Sequence, residues 1–428
     1  MDNSDKVLVI GSGIAGMEAS LLLAKAGKDV VLVEKLPVIG GNTIKSEESF
    51  PNLECSTCMV APVQQEILQN EKISLMTTSR VKNVEGQVGD FTVTVDRKAR
   101  YVSLTDCIGC GMCYDPCPVT VNNEWEENLT EKKAIYVPCD GSLPNVPAID
   151  PEHCLQISGK KSCNACAEAC VFGAIDFSAK DEEIEVHVGA IIVATGFELF
   201  DAGKLSNLGY GKFPGVYTAM EFERLFASNG PTSGQLVLRK GEKSPDSVAI
   251  IHCVGRKERG YCSGVCCMNS FKYAHFLKDK LPDAKVYNIH SDICVPDKTY
   301  QKFYKRVQDE GSRFIFQTSP EAVEISENGE KLKINLTDGK KPEESLDVDM
   351  VILANGIVPG KESAQLSEVL GIELDSKGFF STQKESIATV ETSHDGIFVV
   401  GCAEGPKDIQ SSVTQAESAV GKVISLLG

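Results

Sequence analysis

The residues with the most specific chemistry in this sequence are four cysteines in a thirteen-residue run, DCIGCGMCYDPCP. They have the spacing C-x2-C-x2-C-x3-C, and a proline follows the last of them: Cys107, Cys110, Cys113 and Cys117. This spacing is typical of proteins with two cube-shaped iron–sulfur clusters, in which three thiolates bind one cube and the fourth binds the other. The run therefore predicts a second group of cysteines downstream.

A second group is present, with the spacing C-x8-C-x2-C-x3-C. If the fourth ligand of each run serves the other cube, both sites are complete. The predicted ligands of cluster one are Cys107, Cys110, Cys113 and Cys170. Those of cluster two are Cys117, Cys154, Cys163 and Cys166. Zinc ribbons or a disulfide framework are the alternatives, but zinc knots usually combine two C-x2-C pairs.

A glycine turn near the N-terminus predicts a bound dinucleotide. The turn GSGIAG follows the apolar strand KVLVI and opens a helical segment, and an acidic residue, Glu34, ends the next strand. Strand, glycine turn, helix, strand and acid form the context that this fingerprint requires. Glu34 is expected to accept the ribose hydroxyls, and the turn to approach the pyrophosphate at the helix N-terminus. The turn residues are Gly11, Gly13, Ile14, Ala15 and Gly16.

Further motifs favour FAD over NAD. Lys35 leads to a second glycine turn, and an ATG turn closes a later strand, as in flavoproteins with two dinucleotide domains. Near the C-terminus a strand enters the predicted flavin site, but Cys402 stands where an aspartate usually binds the ribityl chain, so Glu404 or Asp408 is the expected substitute. The remaining predicted contacts are Gly40, Gly41, Asn42, Val81, Ala194, Thr195, Gly196, Gly401, Lys407 and Ile409.

Three further cysteines are ambiguous in the sequence. Cys55 and Cys58 form a C-x2-C pair where the flavin ring would be approached, and the pair is a redox-active dithiol, half of a metal site or two small buried residues. Cys139 lies in a proline-rich connection and is interpreted as a bystander, because eight other thiols already complete the two cubes. The stretch around Trp125 is interpreted as a solvated helix.

A second α/β unit begins near residue 245, and its first strand lacks a glycine fingerprint. A pyrophosphate needs close backbone approach at the strand end, so a nicotinamide dinucleotide is not expected there. Cysteines occupy the turn and the following helix instead. They predict a third 4Fe-4S cluster or, alternatively, buried thiols that pack as small apolar groups: Cys253, Cys262, Cys266 and Cys267. Cys294 is interpreted as isolated and structural, and Asp338-Gly339 as a hairpin turn.

The elements that must position these residues indicate an α/β fold with two dinucleotide-binding domains, similar to thioredoxin reductase, and an inserted two-cluster ferredoxin domain. The FAD domain comprises residues 1–102, a return strand in 181–202 and a C-terminal part, 359–428. The insertion spans residues 103–180, and the second α/β domain spans 203–358.

Composition excludes some functions. The chain of 428 residues carries 43 basic and 60 acidic residues, a formal net charge of −17, which argues against nucleic acid and anionic membrane surfaces as partners. No apolar run reaches the length of a membrane span, and the sequence enters a strand without a signal peptide, so a cytoplasmic location is expected. The 17 cysteines then indicate metal ligation or redox chemistry.

With these motifs together, the sequence resembles the A subunit of heterodisulfide reductase and of quinone-interacting oxidoreductases. The segments that carry the resemblance include GSGIAGMEA, FPNLECSTCMVAP, CIGCGMC, YCSGVCC and GCAEGPKDI. The resemblance implies FAD on the N-terminal unit, two cubes in the insertion and a further cube near the flavin at Cys253, Cys262, Cys266 and Cys267. Methanogen proteins of this type are longer, and Val171 replaces the proline usual after a fourth ligand.

The predicted function is electron transfer between FAD and partner iron–sulfur subunits of a larger complex, similar to the B and C subunits of heterodisulfide reductase, with flavin-based bifurcation as its sharper form. A homodimer is left open. The alternative is a stand-alone NAD(P)H-dependent flavin reductase of disulfides or other small molecules that uses Cys55 and Cys58. A scaffold with decayed cofactor motifs is a third alternative, and it conflicts with the many ligand positions present.

Overall fold

The computed structural model describes residues 5–238, 243–337, 344–383, 387 and 390–428. The first domain is built on a parallel sheet of five strands: β1 (Lys6–Ile10), β2 (Asp29–Val33), β5 (Ile73–Met76), β13 (Ala190–Val193) and β24 (Ile397–Val399). Their order in the sheet is β24-β13-β1-β2-β5. The helices of this domain are α1 (Ile14–Lys25), α2 (Ser56–Gln69), α8 (Ser363–Leu370) and α9 (Ile409–Leu427), and a small hairpin pairs β3 (Glu48–Ser49) with β4 (Glu54–Cys55).

Both faces of the first sheet are covered, and its strands are therefore apolar along their length. Val7 and Val9 on β1 pack with residues of α1 and α9 on one face. Leu8 and Ile10, which alternate with them, pack on the other face against an antiparallel meander. The meander comprises β6 (Ser79–Gln87), β7 (Asp90–Arg97) and β12 (Glu182–Val188).

The chain leaves the meander after β7 and returns at β12, which pairs directly with β7 from Arg97 opposite Glu182 to Phe91 opposite Val188. The segment between these strands has little regular structure. Its elements are β8 (Thr120–Asn122), β9 (Glu131–Lys133), β10 (Ile135–Tyr136), β11 (Ala148–Ile149) and α3 (Ala165–Ala169). The apolar core of this segment is small, and cysteines form a large part of it. A core of this size needs support beyond apolar packing.

The second domain contains another five-stranded parallel sheet. Its strands are β15 (Val216–Thr218), β16 (Ser247–Val254), β17 (Lys285–His290), β18 (Arg313–Phe316) and β22 (Met350–Asn355), in the order β15-β22-β16-β17-β18. Its helices are α4 (Ala219–Phe226), α5 (Arg256–Arg259), α6 (Cys266–Lys280) and α7 (Lys298–Asp309). A three-stranded antiparallel sheet comprises β19 (Val323–Asn328), β20 (Lys331–Leu336) and β21 (Glu344–Val348), while β14 (Phe197–Leu199) and β23 (Ile357–Pro359) pair where the chain passes between the domains.

The predicted turn Asp338-Gly339 lies outside the described residues, although the strands β20 and β21 on either side of it are paired antiparallel. The interpretation of the Trp125 stretch as a solvated helix is wrong. Trp125 lies in a single 3-10 turn, Glu124–Glu126, and its side chain is buried in the same apolar core as Cys139. A large aromatic ring favours burial. The charged residues next to Trp125 in the sequence nevertheless indicated a solvated segment.

Across the described ranges, we find no helix with the combination of length and apolar character that crossing a membrane demands.

Candidate functional site

Two connected cavities lie between the domains. The first, about 530 Å³, contains the first glycine turn and the end of β13, and is called the nucleotide cavity after its predicted occupant. The second, about 330 Å³, lies between α6 and the N-terminus of α9, and is called the flavin cavity for the same reason. Six residues contribute to the walls of both, so the two cavities form one continuous site: Asn42, Thr43, Phe197, Leu199, Met220 and Asn355.

At two glycines of the first turn neighbouring backbone packs where a side chain would lie, and at a third the space is open. A Cβ atom on Gly11, whose φ is +99°, would lie 2.5 Å from the Ala194 carbonyl oxygen, and one on Gly16 would lie 1.9 Å from the Gly11 oxygen. A Cβ on Gly13 would meet nothing within 4 Å, although Gly13 lies at the N-cap of α1 and lines the nucleotide cavity. The open side of this turn is therefore where a pyrophosphate would approach the helix N-terminus.

Glu34 is held in place at the end of β2 by hydrogen bonds to both of its oxygens. The Ser12 N–H and hydroxyl donate to Oε2 at 2.9 and 2.6 Å, and the Leu36 N–H donates to Oε1 at 2.8 Å. Each carboxylate oxygen can accept more than one hydrogen bond. Glu34 lines the nucleotide cavity together with Lys35, so its predicted contact with ribose hydroxyls fits this geometry.

Two buried polar atoms in the wall of the nucleotide cavity have no hydrogen-bond partner among the described residues: Thr195 Oγ1 and Trp125 Nε1. Unpaired buried polar groups are rare in folded proteins and are usually satisfied by a ligand, an ion or water. The sequence motifs predict Thr195 as a cofactor contact, but they do not indicate Trp125. Together with the open turn at Gly13, these groups fit a bound dinucleotide of the FAD type.

The C-terminal segment reaches both cavities. Cys402 lines the nucleotide cavity, and its thiol donates to the Lys407 carbonyl oxygen at 3.3 Å. Lys407, Asp408 and Ile409 line the flavin cavity. The Lys407 ammonium forms an ion pair with Glu404, which lines neither of the two cavities. Asp408 is therefore the better placed of the two expected substitutes for the missing aspartate.

The cofactor residues predicted from sequence differ in where they lie. Those that line a cavity, in addition to the residues already described, are Ile14, Ala15, Gly41, Asn42, Ala194, Gly196 and Gly401. Gly16 and Gly40 act through close backbone packing instead, since a Cβ on Gly40 would lie 2.7 Å from the Ile44 side chain. Val81 packs against the apolar core between sheet and meander and lines neither cavity.

Sequence reasoning missed a buried charged group in the wall of the flavin cavity. The Lys272 ammonium forms an ion pair with the Glu223 carboxylate, and the two side chains are 1% and 4% exposed. Lys272 also donates to the Glu48 carbonyl oxygen at 2.9 Å. Nearby, the Tyr300 hydroxyl donates to Asp408. Lysine and glutamate inside amphipathic helices normally indicate surface positions, so nothing in the sequence distinguished this pair.

The predicted ligands of cluster two surround one small cavity in the insertion. This cavity, about 20 Å³, is lined by apolar residues and by four cysteines: Cys117, Cys154, Cys163 and Cys166. Burial raises the pKa of the Cys166 thiol to about 11, and the neighbouring Cys117 and Cys154 add to the shift. A buried thiol rarely ionises by itself, but a bound metal ion stabilises the thiolate and so favours deprotonation. These four thiols are therefore suited to metal binding.

The predicted ligands of cluster one lie next to this group. Burial raises the pKa of Cys113 to about 12, with smaller contributions from Cys107, Cys166 and Cys110. Gly109 and Gly111, between these cysteines, have left-handed φ values of +71° and +76°. The Gly109 N–H donates to Cys107 Sγ and the Ala174 N–H to Cys170 Sγ, both at 3.4 Å. Backbone N–H groups directed at cysteine sulfur are one of the ways in which proteins tune iron–sulfur clusters.

In the part of the chain that the structure describes, no three His, Cys, Asp or Glu side chains converge as a site for a single metal ion requires. A cube has a different requirement, because each thiolate binds a separate iron atom.

The cysteines of the second domain are gathered at the carboxyl end of β16. Cys253 has a left-handed φ of +62° at an irregular point of the strand, an uncommon conformation that costs energy in a residue other than glycine. Its Sγ and that of Cys267 lie 4.0 and 3.8 Å from the Asp292 carbonyl oxygen. A hydrogen bond that the Cys267 thiol donates to Cys266, together with burial, raises the pKa of Cys267 to about 12. Cys266 lines the flavin cavity, so this group of thiols adjoins the predicted flavin site.

The interpretation of Cys294 as isolated is wrong. Its N–H donates to Cys267 Sγ at 3.5 Å, and burial raises the pKa of the Cys294 thiol, with smaller contributions from the neighbouring Cys262 and Cys267. Cys294 follows β17, the neighbour of β16 in the parallel sheet, and the carboxyl ends of adjacent parallel strands meet at one edge. Periodicity does not give the strand order, so sequence alone did not bring Cys294 to this group.

Protein side chains fill the position where a nicotinamide dinucleotide would approach the second sheet. A Cβ on Gly255, directly after β16, would lie 2.3 Å from the Phe200 ring. The Arg259 guanidinium lies against Gly356, which follows β22, and donates to the Ile357 carbonyl oxygen at 3.2 Å. The close backbone approach that a pyrophosphate needs is therefore blocked at this strand end.

Cys55 and Cys58 are close to each other, and Cys58 is exposed while Cys55 is half-buried. Cys55 is the N-cap of α2, and its Sγ lies 2.7 Å from that of Cys58, which is exposed. The interpretation as two small buried residues is wrong. Neither sulfur lines the nucleotide or flavin cavity, but Glu54 and Met59 on either side of the pair line the flavin cavity.

Comparison with known proteins agrees with this geometry. The sequence profile of the pyridine nucleotide-disulphide oxidoreductase family matches residues 5–416. The chain belongs to this family. It is therefore an oxidoreductase of a flavoprotein class, as the glycine turns predicted.

The chain is also similar to curated heterodisulfide reductase proteins of methanogens. It is 37% identical over 98% of its length to the A subunit of the H2:CoB-CoM heterodisulfide,ferredoxin reductase of Methanothermobacter thermautotrophicus, covering 63% of that protein. It is 38% identical over 97% of its length to the iron-sulfur A subunit of the CoB–CoM heterodisulfide reductase of Methanocaldococcus jannaschii, again covering 63% of it. The chain thus spans less than two thirds of the length of these relatives. The predicted resemblance to the A subunit of heterodisulfide reductase is confirmed.

Solved structures show the same fold. Thioredoxin reductase from T. acidophilum matches with a TM-score of 0.53 at 14% identity, covering 99% of both chains. Thioredoxin reductase from Lactococcus lactis matches with a TM-score of 0.54, also at 14% identity and 99% of both chains. The predicted α/β fold of the thioredoxin reductase type is confirmed, while the assignment of the insertion as a ferredoxin domain stays a prediction.

Proposed function

We propose that this chain is an electron-transfer subunit that carries FAD and three 4Fe-4S clusters within a heterodisulfide-reductase-like complex. The observation that carries the proposal is the position of Cys266, which lines the flavin cavity and adjoins the cysteines at the end of β16. A metal-binding group there lies next to the flavin, where other members of the fold would hold a nicotinamide. FAD, when bound, supplies the exchange between two-electron and one-electron transfer.

The protein groups around the site would bind and orient the flavin. The pyrophosphate would bind at Gly13 and the N-terminus of α1, and Glu34 would bind the ribose hydroxyls. Lys272 and Glu223 form a buried ion pair in the wall of the flavin cavity, so they would present one ammonium and one carboxylate to the flavin without a net charge. The single tryptophan, Trp125, would extend the nucleotide site from the insertion.

A route for electrons out of the protein is supported by an apolar patch around the predicted cluster one. Leu104, Ile108, Met112, Val171 and Phe172 are between 49% and 85% exposed, and Cys110 beside them is exposed as well. Large exposed apolar groups in one place mark protein interaction sites. We infer that another iron–sulfur subunit docks on this face, so that single electrons pass between cluster one and that partner.

Iron and flavin analysis of the anaerobically purified chain tests the proposal. About twelve iron atoms and one FAD per chain are expected, which corresponds to three cubes of four. A count of about eight iron atoms would remove the third cluster from the proposal, and a chain with flavin but no iron would overturn it.

The stand-alone alternative differs from this proposal in its electron donor. The side chains of Phe200 and Arg259 at the end of the second sheet argue against direct reduction by NADH or NADPH. Anaerobic mixing with either nucleotide should therefore leave the flavin absorbance unchanged over the time in which a chemical reductant bleaches it. Rapid bleaching by either nucleotide would favour the alternative.

Bifurcation is the finer form of the proposal. It requires that the two one-electron potentials of the flavin be crossed, so that the second electron leaves at a lower potential than the first. Potentiometric titration followed in the visible spectrum tests this, and normally ordered potentials would contradict it.

A further inference from the structure

A third cavity, about 450 Å³, adjoins the flavin cavity at the β3–β4 hairpin, and we call it the outer cavity. Its walls include Glu47, His275, Asp279, Lys280 and Arg306. Two residues line both the outer cavity and the flavin cavity: Glu48, on β3, and Asn52, in the turn that follows. The hairpin therefore forms the wall between the two cavities.

One face of α6 runs along both cavities. Cys266, Asn269 and Lys272, each three residues apart, line the flavin cavity. His275 and Asp279, one and two turns further on the same face, line the outer cavity. Exposure rises in this direction, since the Lys272 side chain is 1% exposed, that of His275 is 13% exposed, and Asp279 is exposed. The outer cavity thus connects the buried wall of the flavin cavity with solvent.

This connection offers a route for protons. A flavin that gains two electrons also takes up protons, whereas iron–sulfur clusters would deliver electrons alone. Glu48 and Asn52 face both cavities, and of these two only the carboxyl group of Glu48 can bind and release a proton, because an amide does not titrate. The Lys272 ammonium, ion-paired with Glu223, donates to the Glu48 carbonyl oxygen at 2.9 Å and so holds the hairpin against α6.

We propose that Glu48 passes protons from the outer cavity to the flavin cavity when the flavin is reduced. This inference rests on the proposed function and adds the source of the protons. The Glu48 carboxylate takes up a proton from water in the outer cavity and becomes a neutral carboxylic acid. It then releases this proton on the flavin side and returns to the carboxylate. Each cycle moves one proton and no electron, so it requires no further reactant.

The charges around Glu48 suit this role. Burial and the neighbouring Glu47 raise the pKa of the Glu48 carboxyl, His275 and Lys272 oppose the shift, and Asp279 adds to it. The carboxyl therefore interacts with charged groups in the walls of both cavities. A pKa closer to neutral pH lets a carboxyl both bind and release protons readily. The other ionisable residues of the hairpin and the two walls include Glu54, Cys55, Glu223, Tyr273, Lys280 and Arg306.

The test compares the wild-type holoprotein with the isosteric variant Glu48→Gln. Flash reduction of the bound flavin by a deazaflavin radical, in weakly buffered solution with phenol red, measures the rate of proton uptake. Glu48→Gln should take up protons about 100-fold more slowly at neutral pH, while its iron and flavin contents stay the same. Glu48→Asp, which keeps a carboxyl group, should recover part of the rate. Formate should accelerate Glu48→Gln in proportion to its concentration, because a small acid fits the outer cavity.

Glu47→Gln is the matched control. Glu47 lines the outer cavity but not the flavin cavity, and it accepts a hydrogen bond from the Ser228 N–H at 2.7 Å, which the glutamine oxygen can also accept. Removing its negative charge lowers the pKa of Glu48. The uptake rate follows the protonated fraction of Glu48 and falls as pH rises through that pKa. In Glu47→Gln this fall should occur at lower pH with the same highest rate, and in Glu48→Gln the pH dependence should be lost.

Proton uptake at the wild-type rate in Glu48→Gln would overturn the proposal. Equal slowing in Glu47→Gln with an unchanged pH profile would also overturn it, because both variants would then report a distorted hairpin. A chain that binds flavin but no iron would refute the proposed electron route alone, since flash reduction supplies electrons to the flavin directly. A chain without flavin would overturn both.

Discussion

Arg224 holds the Glu126 carboxylate through two parallel hydrogen bonds, from Nε at 2.8 Å and from Nη2 at 3.0 Å. The Arg224 side chain is fully buried, and that of Glu126 is 7% exposed. Arg224 lies on α4 of the second domain and Glu126 in the insertion, while Nη1 donates to the Lys45 carbonyl oxygen of the first domain at 2.7 Å. One guanidinium therefore fixes the three parts of the molecule relative to one another.

Replacing Glu126 by Gln should destabilise the protein by about 3–5 kcal/mol, because it leaves the Arg224 charge buried without its counter-ion. The shape of the side chain is retained, so the loss reports charge and not packing. The measurement is the midpoint of urea unfolding of the FAD-bound protein. The double variant Arg224→Met with Glu126→Gln should recover a large part of the loss, because no uncompensated charge remains.

Asp309→Asn is the control for this prediction. Asp309 forms an ion pair with Lys305 one helical turn away, and both side chains are more than 60% exposed. Such pairs contribute about 0.3–0.5 kcal/mol, so the control should barely move the midpoint. Equal shifts for Asp309→Asn and Glu126→Gln would contradict the assignment of Arg224 as a buried structural centre.

Lys272→Met should also destabilise the protein by about 3–5 kcal/mol, since Glu223 would lose its partner inside the wall of the flavin cavity. Because the Glu223 carboxylate is then left in the cavity wall without its counter-ion, the flavin reduction potential should fall as well. Redox titration of the bound flavin measures this second effect. In Lys272→Met with Glu223→Leu both charges are removed, so the stability and the flavin potential should both return toward the wild-type values. A potential that stays low after the stability has returned would contradict the assignment of this shift to the unpaired Glu223 carboxylate.

The elements around the first glycine turn could be predicted from sequence because their signals are local. Strand β1, the turn at Gly13 and Glu34 follow one another in the chain. A short stretch of sequence is enough to predict each of them, because each depends on local conformation or side-chain chemistry. The cysteine runs also carry a local signal, because their spacing predicts a ligand set, and that ligand set stays a prediction. These predictions needed no knowledge of strand order.

The residues that were missed depend on contacts between distant segments. Trp125 is buried by the first domain although charged residues surround it in sequence, and Lys272 is neutralised by Glu223 from another helix. Cys294 reaches Cys267 only because β17 lies beside β16. Burial and pairing of this kind are properties of the packed sheet, and periodicity within one segment does not report them.

The assignment of cluster two can be tested with single serine variants. Cys163→Ser should lower the iron content by about four atoms per chain or leave a weakened cluster, because Cys163 is one of the four thiols around the small cavity of the insertion. Cys139→Ser is the control. Cys139 is buried in the core of the first domain, where its thiol lies 3.2 Å from the Ser142 hydroxyl, and its replacement should leave the iron content unchanged. Loss of iron from Cys139→Ser alone would reverse the two assignments.

Two matched glycine-to-alanine substitutions distinguish loss of pyrophosphate binding from the general effect of replacing a glycine. A Cβ on Gly13 and one on Gly421, in the middle of α9, would each meet nothing within 4 Å, and neither glycine has a positive φ. Only Gly13 lines the nucleotide cavity. Gly421→Ala should therefore stabilise the protein by up to about 1 kcal/mol with full FAD content. Gly13→Ala should fold but retain much less FAD after gel filtration, because its methyl group enters the space where the phosphates approach the turn. Full flavin retention by Gly13→Ala would place the dinucleotide elsewhere.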